Sequence, residues 1–214
     1  TPKPSSAASD VYKRQICTFS ILCAEMRTTM LQDMQKDFEI KKIKRSACKM
    51  KEPHSHPFHE LFYLAKGECT AFLSHNIYKF SKGDIVIVPA GTIHKTDYTG
   101  KGINERIVIS FKTSVTDWLS NVVGTDIVSD VMQTGVITIP EKRRDYIEKL
   151  LDKLIFENEG QDPLSPGFVS VALAELILFI TRCKQYEENV IKEIDVDNQI
   201  MQAVSYTHLR AHET

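Results

Sequence analysis

The chain has 214 residues, of which 42% are apolar and 26% charged. That length suits one domain, or one plus part of a second, and the composition excludes a wholly disordered chain, a collagen-like fibre and a disulfide mini-scaffold. The 27 basic and 28 acidic residues leave a net charge of −1, unlike a protein built to coat nucleic acid or a membrane surface. The five cysteines include no CxxC and are odd in number, which fits reduced thiols in the cytoplasm.

The first residues, TPKPSSAASDVYKRQ, carry no periodicity, and residues 204–214, VSYTHLRAHET, interrupt an amphipathic pattern. Both strings resemble translated sequencing-adapter read-through. Residues 1–25 and 204–214 are therefore expected to be non-native tails. The natural protein is expected to begin near Met26 or Met30 and to continue past residue 203. Ile16 to Ala24, preceded by Lys13 and Arg14, weakly imitates a signal peptide. His208 and His212 are spaced four apart, but Leu209 stands where a zinc-binding HExxH helix needs Glu, so they are read as noise.

Residues 38 to 112 hold short apolar runs separated by turn signals. The runs are Phe38 to Arg45, Glu60 to Ala65, Glu68 to Ser74, Ile77 to Phe80, Asp84 to Pro89 and Ile103 to Phe111. His75-Asn76 reads as a two-residue hairpin turn. Short strands at this spacing predict a β-sandwich or small barrel. In Leu61-Phe62-Tyr63-Leu64 and Ile85-Val86-Ile87-Val88 neither parity is polar, so helices or a second subunit should cover the outer face. The basic cluster Lys41, Lys42, Lys44, Arg45, Lys49 and Lys51 is diluted by Asp37, Glu39 and Glu52, and reads as a solvated edge strand.

Residues 114–139 read as a linker carrying the single Trp118. From residue 140 the period becomes helical. Pro140-Glu141 opens a helix whose stripe is Ile147, Leu150, Leu151, Leu154 and Ile155. A second helix should run from Ser165-Pro166 to about Tyr186, apolar nearly all the way round. Its own core could cover one side and a partner helix another. Its most apolar stretch, Leu173 to Ile180, is too short to span a bilayer.

On an extended strand His54, His56 and Glu60 share one parity and would face the same barrel interior, while His59 would face outward. Pro57 could bend this run. His94, three residues after Gly91, is a fourth candidate that a facing strand could deliver to the same place. Asn104, Arg106 and Ser110 also share a parity. A solvated strand face is the plain reading, and Arg106 as a clamp for a carboxylate or sugar hydroxyl is the alternative.

HSHPFHE followed by Gly67 resembles the first cupin motif, His-x-His-x3-Glu-x6-Gly. Gly83, Pro89, Gly91 and His94 resemble the second, Gly-x5-Pro-x-Gly-x2-His. Tyr98 stands where that motif often ends in Asn. The resemblance implies a mainly β fold with C-terminal α structure: a cupin, jelly-roll-like barrel over 37–113, then a linker and a helical dimerisation hairpin over 140–200.

A cupin followed by two helices is similar to the N-terminal sensing half of AraC-type transcription regulators. The resemblance implies a cytoplasmic, non-enzymatic, homodimeric domain that binds a small effector, a sugar or small acid. DNA would be read only by a C-terminal part that this chain does not carry, and no membrane is involved. The expected ligand pocket, roughly 300–1,000 Å³ inside the barrel, comprises His54, His56, Glu60, His94 and Arg106. The expected dimer interface comprises Leu173, Leu176, Ile177, Phe179 and Ile180. No cofactor is expected. The first alternative is a metal-dependent cupin enzyme, of oxygenase or isomerase type, with a divalent metal on His54, His56, Glu60 and His94. The second is a stand-alone dimerisation module whose barrel is filled by large side chains.

Overall fold

The computed structural model describes residues 36–187, so both tails, His208, His212 and the stretch 188–200 lie outside the described residues. Strands β1 (Phe38–Lys49), β2 (His59–Lys66), β3 (Glu68–Leu73), β4 (Asn76–Ser81), β5 (Asp84–Val88) and β6 (His94–Phe111) come first. Helices α1 (Thr113–Val123) and α2 (Thr125–Val131), strand β7 (Gly135–Thr138) and helix α3 (Glu141–Glu159) follow. Helix α4 spans Ser165–Glu187.

The seven strands form one antiparallel sheet in the order β4-β3-β6-β2-β5-β7, with β1 also paired to β6. The long β6 organises it. Its first residues pair with β3, from Leu73↔His94 to Cys69↔Tyr98. Its last pair with β2, from Lys66↔Glu105 to His59↔Phe111. Between them the β1 register jumps from Ile103↔Ser46 to Tyr98↔Cys48, and the sheet folds over at this irregularity into a barrel.

Folding the sheet over explains why its central strands are apolar on both faces. One parity, including Phe62, Leu64, Cys69, Leu73, Phe80, Val86, Val88 and Val108, fills the concave interior. The other, including Leu61, Tyr63, Ile85, Ile87, Ile107 and Ile109, packs with the helices in a second core. The expected outer cover is therefore helical. Tyr63 crosses to α3, where its hydroxyl donates to Glu148 Oε1 at 2.8 Å. β1 is an edge strand whose basic residues are largely in solvent, with Lys42 and Lys44 paired to Glu105.

Three expectations change. The hairpin turn falls on Ser74-His75, one residue earlier than expected, with Ser74 in the left-handed region at φ 55°. The expected linker is folded: α1 and α2 pack on the core through Leu119, Val128 and Val131, and β7 extends the sheet by pairing with β5.

The third change concerns the helices. α3 buries the stripe Ile147, Leu150, Leu151 and Leu154 as its period requires. However, Leu173, Leu176, Ile177, Phe179 and Ile180 of α4, expected at a dimer interface, are all buried in this chain's own core. α4 contacts α3 through Phe179 and Tyr146, α2 through Lys184 and Asp130, and β7 through Glu187 and Thr138, and its apolar residues join the shared core, so its all-round apolarity is largely consumed internally. Its exposed ridge is Phe168, Val171 and Leu178. α4 is long and apolar enough to cross a membrane by length and composition, but over half of its most apolar window is buried within the protein.

Candidate functional site

The first histidine motif is not one continuous strand. β2 begins only at His59, and residues 53–58 form an irregular approach in which Pro53 and Pro57 lack the N–H groups that a ladder needs. His54 nevertheless makes an isolated antiparallel bridge with His94: each backbone N–H donates to the other's carbonyl, at 3.0 and 2.8 Å. Gly91 N–H donates to His56 O at 2.8 Å and ties the two motifs together again.

These bridges bring three rings together. Their centroids lie 4.3 Å (His54–His94), 4.8 Å (His56–His94) and 6.0 Å (His54–His56) apart. One ring nitrogen from each lies within 4.8 Å of the others. His56 Nδ1 contacts Phe58 O at 2.7 Å, and His94 Nδ1 contacts Thr92 O at 3.0 Å. A carbonyl oxygen only accepts, so both Nδ1 atoms carry a proton, and Nε2 is the nitrogen through which each ring, when neutral, could hold a metal. The His56 ring also stacks on Phe58, 3.8 Å between centroids. Burial lowers the pKa of His94, although its bond to Thr92 and the nearby Glu60 oppose this, so the neutral ligand form is favoured.

Glu60 opens the inward parity of β2, and its Oε2 lies 3.4 Å from His56 Nε2, which is buried and has no hydrogen-bond partner. Glu60 thus flanks the three histidines. The donor set fits a divalent transition metal. Ligands about 2.0–2.1 Å from an ion lie at most about 4.2 Å apart, so the rings would draw in by roughly half an ångström on binding one. His59 points to the other face, as its parity requires. Its ring lies 5.6 Å from Phe111, and its Nδ1 accepts from Ala90 N–H.

Arg106 stands apart from this group. It pairs with Leu64, four residues along β2 from Glu60, so roughly 13 Å separates the two positions along the strand. The expected five-residue pocket is therefore two groups on one concave face. The plain reading of Asn104, Arg106 and Ser110 as a solvated face is also corrected, because β6 lies inside the sheet and its even-numbered residues turn inward. Arg106 Cζ sits 5.1 Å from the Phe62 ring centroid and 5.4 Å from that of Tyr98. Asn104 is buried, and its Oδ1 accepts from Glu68 N–H at 3.1 Å. Arg106 Nε, Tyr98 Oη and Asn104 Nδ2 are buried without a hydrogen-bond partner. Sequence reasoning left Tyr98 and Asn104 out of the site. The signals were there: Tyr98 departs from the motif, and Asn104 shares the parity of Arg106.

A groove of about 880 Å³ lies outside the barrel, between α1, α3 and α4, beside Trp118, Tyr146 and Leu178. The barrel interior around Phe62, Phe80 and Leu73 is densely apolar.

Residues 47–109 match the family described as "Cupin domain". The fold is thus a cupin barrel followed by C-terminal helices. No curated protein matches the chain. Among solved structures, apo ToxT from Vibrio cholerae is similar over 65% of this chain and 54% of that one, at 9% identity and a TM-score of 0.51. A cupin protein from Bacteroides fragilis is similar over 36% of this chain and 66% of its own, at 14% identity and a TM-score of 0.33. A predicted oxalate decarboxylase from Thermotoga maritima is similar over 38% of this chain and 72% of its own, at 18% identity and a TM-score of 0.35. The chain spans about half the length of the ToxT structure and just under two thirds of the Bacteroides one.

Proposed function

We propose that the chain is the effector-binding and dimerisation part of an AraC-type transcription regulator. It would act in the cytoplasm, with DNA contact made by another part of the parent protein. The observation that carries this reading is that likeness to ToxT, an AraC-family structure, extends well beyond the matched 47–109 segment. Barrel and helices also share one hydrophobic core, so an effector that favours one arrangement of the barrel would bias the helical face. A second copy would dock on the exposed ridge of α4, around Val171 and Leu178, rather than on the buried residues.

The test uses the purified full chain stripped of metal. Small acids and sugars are screened by thermal shift, and the mass is followed by sedimentation. A ligand that raises Tm by mass action and changes or stabilises a dimer supports the reading. A monomer that binds no organic ligand refutes it.

The Nδ1 bonds of His56 and His94 favour a second reading, a metal-dependent cupin enzyme. A metal held there would supply Lewis-acid or redox chemistry. About one tightly held metal per chain, lost in His94→Ala and coupled to turnover, would move the conclusion to the enzyme.

A further inference from the structure

We infer that the inner face of β6 is a carboxylate subsite, in which Arg106, Tyr98 and Asn104 take a small acid with an apolar body. The inference rests on the effector-binding reading and names the class of effector.

Three observations carry it. First, Tyr98 and Asn104 are only 4% and 1% exposed, and with Arg106 each leaves a buried polar atom unpartnered. Such groups are costly to bury unpaired, and a ligand that meets all three removes the cost. Second, the set is rich in donors. Arg106 only donates. The Asn104 amide is oriented by Glu68 N–H, which holds its Oδ1 and leaves the NH2 group free. Tyr98 also donates, since burial pushes its hydroxyl pKa up to about 12 and keeps it protonated. Among these atoms only the Tyr98 oxygen can also accept. A polyol brings protons that need acceptors, whereas a carboxylate brings acceptors alone. Third, Arg106 forms no ion pair among the described residues, and aromatic faces are what lie beside its guanidinium. The unpaired guanidinium of Arg106 suits a negatively charged group. The neighbouring side chains of Phe62, Phe80 and Val108 suit an apolar body behind it.

The test is calorimetric titration of the full chain with benzoate and isobutyrate, each against its neutral amide, and with L-arabinose and inorganic phosphate. The carboxylates should bind about tenfold or more tightly than their amides. Arg106→Gln should lose that preference. Tyr98→Phe, which keeps the ring packing, should weaken carboxylate binding several-fold without lowering Tm. Lys149→Ala, at an exposed position on α3, should leave carboxylate affinity unchanged. Equal binding of amide and acid, preference for phosphate, or no carboxylate binding at millimolar concentration overturns the inference. Arabinose binding that Arg106→Gln does not alter would also overturn it, while leaving the effector-binding reading intact. If no organic probe binds but a divalent metal raises Tm in a His94-dependent way, both fail.

Discussion

Gly67→Ala offers a quantitative test of how the barrel closes. Gly67 sits between β2 and β3 at φ +102°, and a Cβ built there would lie 1.9 Å from Asn104 Oδ1 and 2.7 Å from its Cγ. Two penalties follow. An L side chain in left-handed backbone costs roughly 1–2 kcal/mol. Displacing Asn104 also breaks its bond to Glu68 N–H and strands buried polar atoms, at roughly 1–3 kcal/mol. The total, about 2–5 kcal/mol, is a large share of the roughly 5–15 kcal/mol that holds a domain folded. Urea titration followed by circular dichroism should show the midpoint falling accordingly. Asn104→Ala removes the atom that the new Cβ strikes, so the double variant should cost less than the sum of the singles, with a coupling of about 0.5–3 kcal/mol. A Gly67→Ala loss below about 0.5 kcal/mol, or strict additivity, would refute the close approach of these two residues.

Other outcomes follow from burial and charge. Tyr98→Phe deletes an unpartnered buried hydroxyl, so without ligand it should leave stability unchanged or raise it by about 1 kcal/mol; a thermal melt showing a clear loss would mean that the hydroxyl has a partner. Burial holds the His59 pKa below 6.5, with the neighbouring His56 adding to the shift. Its contribution to stability is therefore present above pH 6.5 and lost as pH falls toward the folded value. Wild-type protein should lose more urea resistance between pH 7 and pH 5 than His59→Gln, and identical slopes would exclude the effect. Leu176→Glu places a charge in the core and should abolish cooperative folding, whereas Leu178→Glu, at a position 45% exposed, should fold and sediment as monomer. The reverse pattern would mean that the faces of α4 are misassigned.

Much of the barrel was legible because its signals are local. The turn glycines, the two spaced histidine motifs and the unbroken apolarity of Leu61–Leu64 and Ile85–Val88 all act within a few residues. His54 and His56 lie near one another, with ring centroids 6.0 Å apart, but not for the reason expected. Parity along a strand was invoked, and a backbone bridge to His94 across forty residues does the work. What stayed hidden depends on distant partners. Val136 and Ile137 become a strand only because Val86 and Ile85 offer a free edge. Nor does an all-round apolar helix reveal whether its cover belongs to the same molecule, and Leu173 and Ile177 proved to be covered from within. The distance of Arg106 from the histidines is a property of register, which the residues alone do not state.

The return of β7 to the sheet has a practical consequence. Ile139 N–H donates to Gly83 O, and β7 lies along β5, so the segment after the barrel is stitched back into it rather than trailing from it. A fragment trimmed at Phe111 would bare Leu61, Tyr63, Ile85 and Ile87 to water and invite aggregation. Expression boundaries therefore belong outside residues 38–187, and limited proteolysis should find no soft joint between sheet and helices.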